Sequence, residues 1–346
     1  MSKEIKCVVW DLDNTVWDGV LLESADVTLK PGIAEIVREL DNRGIVQSIA
    51  SKNNRTDALA KLQEFGLADY FLYPEIHWNA KSTSVENIRK NLNLGIDTFL
   101  FIDDQPFELE EVQSVHEQVL CFDAAEYEGL LELPRLNPKL ITDDSRRRRL
   151  MYLEDMQRNA DEESYEGPKE EFLATLDMKF VISEAQEVDL QRAEELTLRT
   201  NQLNSTGITY DYDELDALRT DENHQLLVCE LTDKYGSYGK IGLALVEIKP
   251  DAHHLKLLLM SCRVLSRSVG SVFLTYLMQS AKEAGKKFRA DFRQTERNRM
   301  MFVTYRFAGF REVSNEAGMT LLEHDLAVIS PYPGYIDLHV PATSHN

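Results

Sequence analysis

Short apolar runs punctuate the first 125 residues: "IKCVVWD", "IVQSIAS", "YFLYP", "DTFLFID" and "VLCFD", each bounded by polar or turn residues. Runs of this length read as buried strands. Between them lie amphipathic stretches such as "IAEIVRELDNRG" and "RTDALAKLQEFG", each closed by a glycine suited to a helix C-terminus. Strand–helix alternation of this kind dictates an α/β fold, with a doubly wound parallel sheet. In such a sheet, ligands bind at the carboxyl ends of the strands.

Those ends are acidic. In "VVWDLDNTVWDG" the first run delivers Asp11 and Asp13, and in "FLFIDDQP" a later run delivers Asp103 and Asp104. If the two strands are neighbours, the acids converge on one crevice. Two like charges ~4 Å apart repel by about 1 to 4 kcal/mol, depending on the local dielectric. A hard dication with oxygen ligands removes that cost, and Mg²⁺ binds one or two carboxylates while keeping waters and phosphate oxygens. Ser51, at the end of "IVQSIAS", offers a hydroxyl to a phosphoryl oxygen. Lys81, in "WNAKSTSVENI", opens a helix where a cation balances developing negative charge. Lys52 beside Ser51 is an alternative cation, its plainer reading being a solvated side chain.

The 346 residues suffice for two domains with real cores, and 43% hydrophobic with 28% charged residues is a soluble globular composition. A formal charge of −21 argues against non-specific nucleic-acid binding. No apolar run approaches a membrane span or a secretory signal. The four cysteines, Cys7, Cys121, Cys229 and Cys262, lack paired or metal-ligand spacing, so the expected home is a reducing cytoplasm. We expect a first domain over 1–133, a charged linking helix and loop over 134–171, a second α+β domain over 172–330 and an irregular proline-rich tail over 331–346. The second domain shows antiparallel strands around the glycine turn "DKYGSYG", then strand–helix–strand–helix.

Asp11, Asp13 and Thr15, then Ser51, Lys81 and the Asp103–Asp104 pair, stand in the order of the haloacid dehalogenase superfamily pattern D-x-D-x-T, Ser/Thr, Lys, acidic pair. The first domain thus resembles that superfamily, with a minimal cap. The resemblance implies that Asp11 attacks phosphorus, that Asp13 serves as general acid and base, and that Thr15, Ser51 and Lys81 bind phosphate. It further implies Mg²⁺ held by Asp11, Asp103 and Asp104, with Asp13 joining through its carbonyl.

Over roughly residues 5–325, "LTLRTNQLNSTG", "DKYGSYGKIG" and "MSCRVLSRSVG", taken with the acidic motifs, resemble the FkbH-like family. In that family a haloacid dehalogenase-type domain is joined to one resembling the GCN5-related acetyltransferases. The implied activity is conversion of 1,3-bisphosphoglycerate into a glyceryl thioester on an acyl carrier protein, for polyketide-type biosynthesis. The implied partners are a small phosphorylated substrate and the carrier's phosphopantetheine arm. The alternative is a plain phosphatase acting on a small sugar or glycerate phosphate, with the second domain as lid or scaffold.

In this second domain Cys262 is a candidate nucleophile, with Arg263 beside it to favour the thiolate; the plainer reading is a buried strand cysteine. Arg199, Asn201 and Asn204 are candidates for binding the glyceryl phosphate or pantetheine amides, against turn-forming roles. Asn298 and Tyr305 match the acetyltransferase end motif, in which a tyrosine protonates the departing thiolate; Tyr305 equally reads as a core aromatic with a satisfied hydroxyl. "RVLSRSVG" departs from the acetyltransferase phosphate turn, because Ser266 and Ser268 stand where glycines are usual and Gly270 follows. Candidate cationic patches for an acidic carrier are Arg146–Arg149 and residues 282–299, which hold seven Lys or Arg against three Asp or Glu.

Overall fold

A computed structural model describes residues 3–341 and divides the chain into two compact units, Met1–Leu153 and Glu154–Asn346. The strands of the first unit are β1 (Cys7–Trp10), the short ribbon pair β2 (Trp17–Asp18) and β3 (Thr28–Leu29), β4 (Val46–Ser51), β5 (Glu75–Ile76), β6 (Phe99–Asp103) and β7 (Leu120–Asp123). Five of them form a parallel sheet in the order β5-β4-β1-β6-β7. Every residue of β1, β4 and β6 is buried, as expected of strands covered on both faces. Around the sheet lie α1 (Ile33–Asn42), α2 (Arg55–Glu64), α3 (Lys81–Leu92) and α4 (Pro106–Val115).

The glycines after α1 and α2 adopt φ +69° at Gly44 and +68° at Gly66, the left-handed conformation that ends a helix. The run "YFLYP" differs from its expected strand: Ala68–Tyr70 is a short 3₁₀ turn, Phe71 makes only an isolated bridge to Gln47, and pairing begins at Glu75. Tyr73 at φ +49° breaks the extended run.

The charged stretch expected as one helix and a loop folds as α5 (Asp143–Arg146), α6 (Arg148–Ser164) and α7 (Lys169–Ala174). The second unit then contains β8 (Met178–Glu184), α8 (Leu190–Arg199), α9 (Tyr212–Thr220), β9 (His224–Asp233), β10 (Gly236–Ile248), β11 (Ala252–Met260), α10 (Val269–Glu283), β12 (Lys287–Arg293), α11 (Arg299–Phe307), β13 (Arg311–Glu316), β14 (Met319–His324) and β15 (Ile336–His339). Its eight-stranded mixed sheet runs β13-β14-β12-β11-β10-β9-β8-β15. Hydrophobic side chains of α10 and α11 cover one face of that sheet, and those of α8 and α9 cover the other. The unit is the expected α+β sheet, with "DKYGSYG" as the β9–β10 hairpin turn.

In the tail expected to be irregular, 331–335 has no helix or strand but β15 pairs in parallel with β8; residues 342–346 lie outside the described residues. No helix among the described residues is long and apolar enough to cross a membrane.

β11 and β12 are parallel neighbours, paired only from Ala252–Leu255 to Lys287–Ala290. Beyond that point the chain from Leu203 to Ser205 fills the space between them. Met260 N donates to Leu203 O, Ser205 N to Leu258 O, and Arg293 N to Ser205 O, at 2.9 to 3.0 Å.

Candidate active site

The sheet order places β1 between β4 and β6, so three strand tips meet at one edge. Asp11 leaves β1 with its N–H bonded to Ile102 O at 2.9 Å, level with the end of β6. Asp103 is the last residue of β6, and Asp104 follows it. Oxygens of Asp11, Asp103 and Asp104 all lie within 4.8 Å of one another. Lys81, the first residue of α3, is 3% exposed and reaches into this group: Nζ lies 2.9 Å from Asp11 Oδ1 and 2.5 Å from Asp103 Oδ2. With all three carboxylates ionised the Lys81 ammonium leaves two negative charges at the strand tips, eased in part by Lys30, whose charge acts on Asp104.

The electrostatics follow from burial. Loss of water raises the Asp11 carboxyl, against the opposing pull of the Lys81 charge and of hydrogen bonds from Lys81, Ser51 and the backbone. Asp103 is pushed up to about 7, by burial first and then by the Asp11 charge. Asp104 is raised for the same two reasons, in the same order. Burial alone would lower the Lys81 ammonium, but Asp11 and Asp103 outweigh it and raise it. Both signs report one condition: negative charge packed more densely than a single lysine balances.

The group fits a divalent cation. Asp104 Oδ1 is buried and has no hydrogen-bond partner among the described residues, although a buried carboxylate oxygen ordinarily has one. The all-oxygen donor set suits a hard cation, and the 4.8 Å spread is near the roughly 3 to 4 Å between ligands of octahedral Mg²⁺.

The Asp13 side chain lies outside the three-carboxylate group, which leaves its carbonyl as the atom expected to join the metal. Asp13 Oδ1 accepts from Trp17 Nε1 at 2.8 Å and from Leu21 N at 3.1 Å, and Oδ2 accepts from Asn53 Nδ2 at 3.0 Å. Asn14 at φ +54° makes the bend that turns this carboxylate back toward its donors. Trp17 and Asn53 had no role in the sequence reading; the signal was there in the D-x-D-x-T-x-W spacing and in a polar run "SKNN" at the end of a buried strand. That run is used residue by residue. Ser51 bonds Asp11, Lys52 pairs with Glu108 at 2.6 Å, Asn53 holds Asp13, and Asn54 caps α2 through Thr56 N and Asp57 N. Lys52 is therefore an ion-pair partner of α4 rather than a merely solvated side chain. Thr15 is fully buried, and its hydroxyl has no partner among the described residues.

The candidates of the second unit do not gather at one accessible place. Asn201 is exposed, and Arg199 lies 4.0 Å from Glu195 at the end of α8. Asn204 is buried and forms a turn, its Oδ1 accepting from Thr206 N and Gly207 N. Asn298 Nδ2 ties that turn to β12 through Asn204 O and Arg293 O, both at 2.9 Å. Tyr305 follows the second of its two readings: it is fully buried against Phe310, ring centroids 5.1 Å apart, and burial drives its hydroxyl far above the ordinary tyrosine value. A side chain so enclosed is a core aromatic, not an open proton donor.

Cys262 is half-buried and opens a 3₁₀ turn two residues past β11 instead of closing that strand. Arg263 donates from Nη2 to Tyr238 O at 3.0 Å. Ser268 takes φ +64° at the head of α10 despite its Cβ, and its hydroxyl accepts from Tyr335 at 3.2 Å. Of the expected arginine patch, Arg149 pairs with Asp41 and stacks on Tyr70, Arg148 bonds Gly44 O, and Arg146 and Arg147 are exposed.

A family model for haloacid dehalogenase-like hydrolases matches residues 17–120, taking in Ser51, Lys81, Asp103 and Asp104. The first unit has a haloacid dehalogenase-like fold. Human magnesium-dependent phosphatase 1 is 25% identical over 134 residues, which cover 33% of this chain and 76% of that protein. The N-terminal part of protein BF1531 from Bacteroides fragilis, containing a phosphatase domain complexed with Mg, is 28% identical with a TM-score of 0.32. That match covers 44% of this chain, which spans only 39% of that relative's length. The ribosomal-protein-S18-alanine N-acetyltransferase of Escherichia coli is 14% identical over 42% of this chain and 90% of its own, with a TM-score of 0.32. In the haloacid dehalogenase-like unit, the acidic tips of β1 and β6 are the one group among the described residues able to hold a metal ion.

Proposed function

We propose that the first unit is a Mg²⁺-dependent phosphatase that works through an aspartyl-phosphate on Asp11. The observation that carries this reading is the convergence of Asp11, Asp103 and Asp104 around Lys81, with two negative charges left over. Asp11, Asp103 and Asp104 would hold the cation, which neutralises those charges and polarises the phosphoryl oxygens when bound. An oxygen of Asp11 forms a bond to phosphorus as the bond to the substrate oxygen breaks, and Asp13 gives that leaving oxygen its proton. A water then attacks the same phosphorus, Asp13 takes its proton, and Asp11 is released with inorganic phosphate. Trp17, Leu21 and Asn53 hold both oxygens of Asp13 for these two transfers. Lys81 orients Asp11 and balances charge on the phosphoryl group.

The fuller reading adds the second unit: 1,3-bisphosphoglycerate loses its C3 phosphate at the acidic site, and its acyl group passes from the C1 phosphate to the pantetheine thiol of an acyl carrier protein. Support for it comes from the FkbH-like resemblance and from the half-buried Cys262 in the turn that follows β11. A plain phosphatase is the second reading, and the enclosure of Tyr305 favours it. Intact mass of a carrier protein incubated with the enzyme, Mg²⁺ and 1,3-bisphosphoglycerate separates the two. A glyceryl increment that disappears in Cys262→Ala supports transfer. Phosphate release with an unchanged carrier supports the plain phosphatase.

A further inference from the structure

We propose that Lys52 selects among phosphorylated substrates, favouring those that carry a second anionic group, with Glu108 as its positioning residue. The proposal rests on the phosphatase reading of the carboxylate site and names the substrate class of that site.

Three lysines come near these strand tips: Lys30 donates to Asn14 O and its charge acts on Asp104, and the other two differ in their surroundings. The Lys81 side chain is 4% exposed and committed to Asp11 and Asp103. The Lys52 side chain is 34% exposed and lies 2.6 Å from Glu108, whose own side chain is 7% exposed. An ammonium carries three donors. Glu108 engages the buried side of Lys52, and the remaining third of the side chain faces solvent.

Topology places this pair at the site. Lys52 directly follows Ser51, which bonds Asp11, and Glu108 lies in the first turn of α4, just past Asp103 and Asp104. Because β1 runs between β4 and β6, a bridge from the tip of β4 to α4 crosses the end of the strand that bears Asp11. That span is about two strand spacings, roughly 10 Å. In this proposal a substrate with its phosphate at Asp11 extends its other end toward Lys52.

With Mg²⁺ bound the carboxylates no longer carry excess charge to repel a second anion, and Lys52 supplies a partly exposed cation for it. Glu108 keeps that cation in place at a cost: its Oε2 is buried without a hydrogen-bond partner among the described residues, which a neutral residue would avoid.

The test uses two ligands with the same three-carbon chain: 3-phosphoglycerate, which ends in a carboxylate, and glycerol 3-phosphate, which ends in a hydroxymethyl group. Phosphate release (kcat/KM) and calorimetric Kd are measured with Mg²⁺ for the wild type, Lys52→Met and Glu108→Gln. The expected result is a preference for 3-phosphoglycerate of about tenfold or more in the wild type. Lys52→Met brings that ratio close to one, and Glu108→Gln gives an intermediate ratio. A ratio near one in the wild type, a ratio that survives Lys52→Met, or binding of neither ligand overturns the proposal. If both ligands bind but neither is hydrolysed, the phosphatase reading fails while the Kd ratio still decides the role of Lys52.

Discussion

Asp11, Asp103 and Asp104 illustrate how far single residues were legible. Each stands where an apolar run ends, and the repulsion between such charges is readable from spacing alone. The arrangement of Lys81 was not: a helix-opening lysine is visible in sequence, but its insertion between two carboxylates depends on α3 starting beside β4. At this scale we expect Asp11→Asn to lower phosphate release by roughly a thousandfold or more, measured by phosphate assay under saturating substrate. Asn53→Ala, leaving one Asp13 oxygen without its donor, lowers kcat more than it raises KM; an effect confined to KM would contradict its assignment.

The raised carboxyl of Asp103 gives a pH prediction with a definite sign. A carboxyl that holds its proton more tightly when folded contributes stability at low pH and loses it as pH rises through the folded value. With Asp103 raised from 3.8 to about 7, EDTA-treated protein should lose stability across that window. Denaturation midpoints of the first unit should fall between about pH 5 and about pH 7.5, and Mg²⁺ should flatten the decline.

Among the elements, the buried strands of the first sheet were the most legible, because β1, β4 and β6 are covered on both faces and their apolar runs are nearly unbroken. β13 escaped notice for the opposite reason: "REVSNE" lies at the sheet edge and is largely exposed, so no hydrophobic pattern marks it. β15 was hidden by its proline-rich surroundings. The half of α6 beyond Leu153 shows a device that no periodicity reveals. Arg158 is 1% exposed, bonds both oxygens of Asp233 at 2.6 and 3.0 Å, pairs with Asp155, and lies over the Tyr238 ring at 4.2 Å. It anchors the helix to the β9–β10 hairpin turn. Arg158→Ala leaves the buried Asp233 charge without its counter-ion, holding only the donors Tyr235 N, Gly236 N and the Tyr238 hydroxyl, and should destabilise the second unit by about 3 kcal/mol. Arg158→Met combined with Asp233→Asn should cost clearly less; equal losses in the two variants would mean that the charge itself is unimportant.

For the whole molecule, the strand–helix alternation led to the correct sheet for the first unit and the hairpin led to an α+β second unit. Candidate chemistry was far more legible in the first. There the functional groups sit at strand ends, where sequence order and sheet order suffice to bring them together. In the second, Asn204, Asn298 and Tyr305 lie close because residues 203–205 wedge between β11 and β12, a long-range event that local patterns do not encode.

The central claim is that this shared site binds a divalent cation. Calorimetric titration of Mg²⁺ into EDTA-treated full-length protein tests it directly, with Asp104→Asn as the comparison. The account predicts one site in the unmodified chain, weakened at least about tenfold when the unpartnered Asp104 oxygen is replaced. Mg²⁺ binding that is absent, or equally tight in Asp104→Asn, would contradict it.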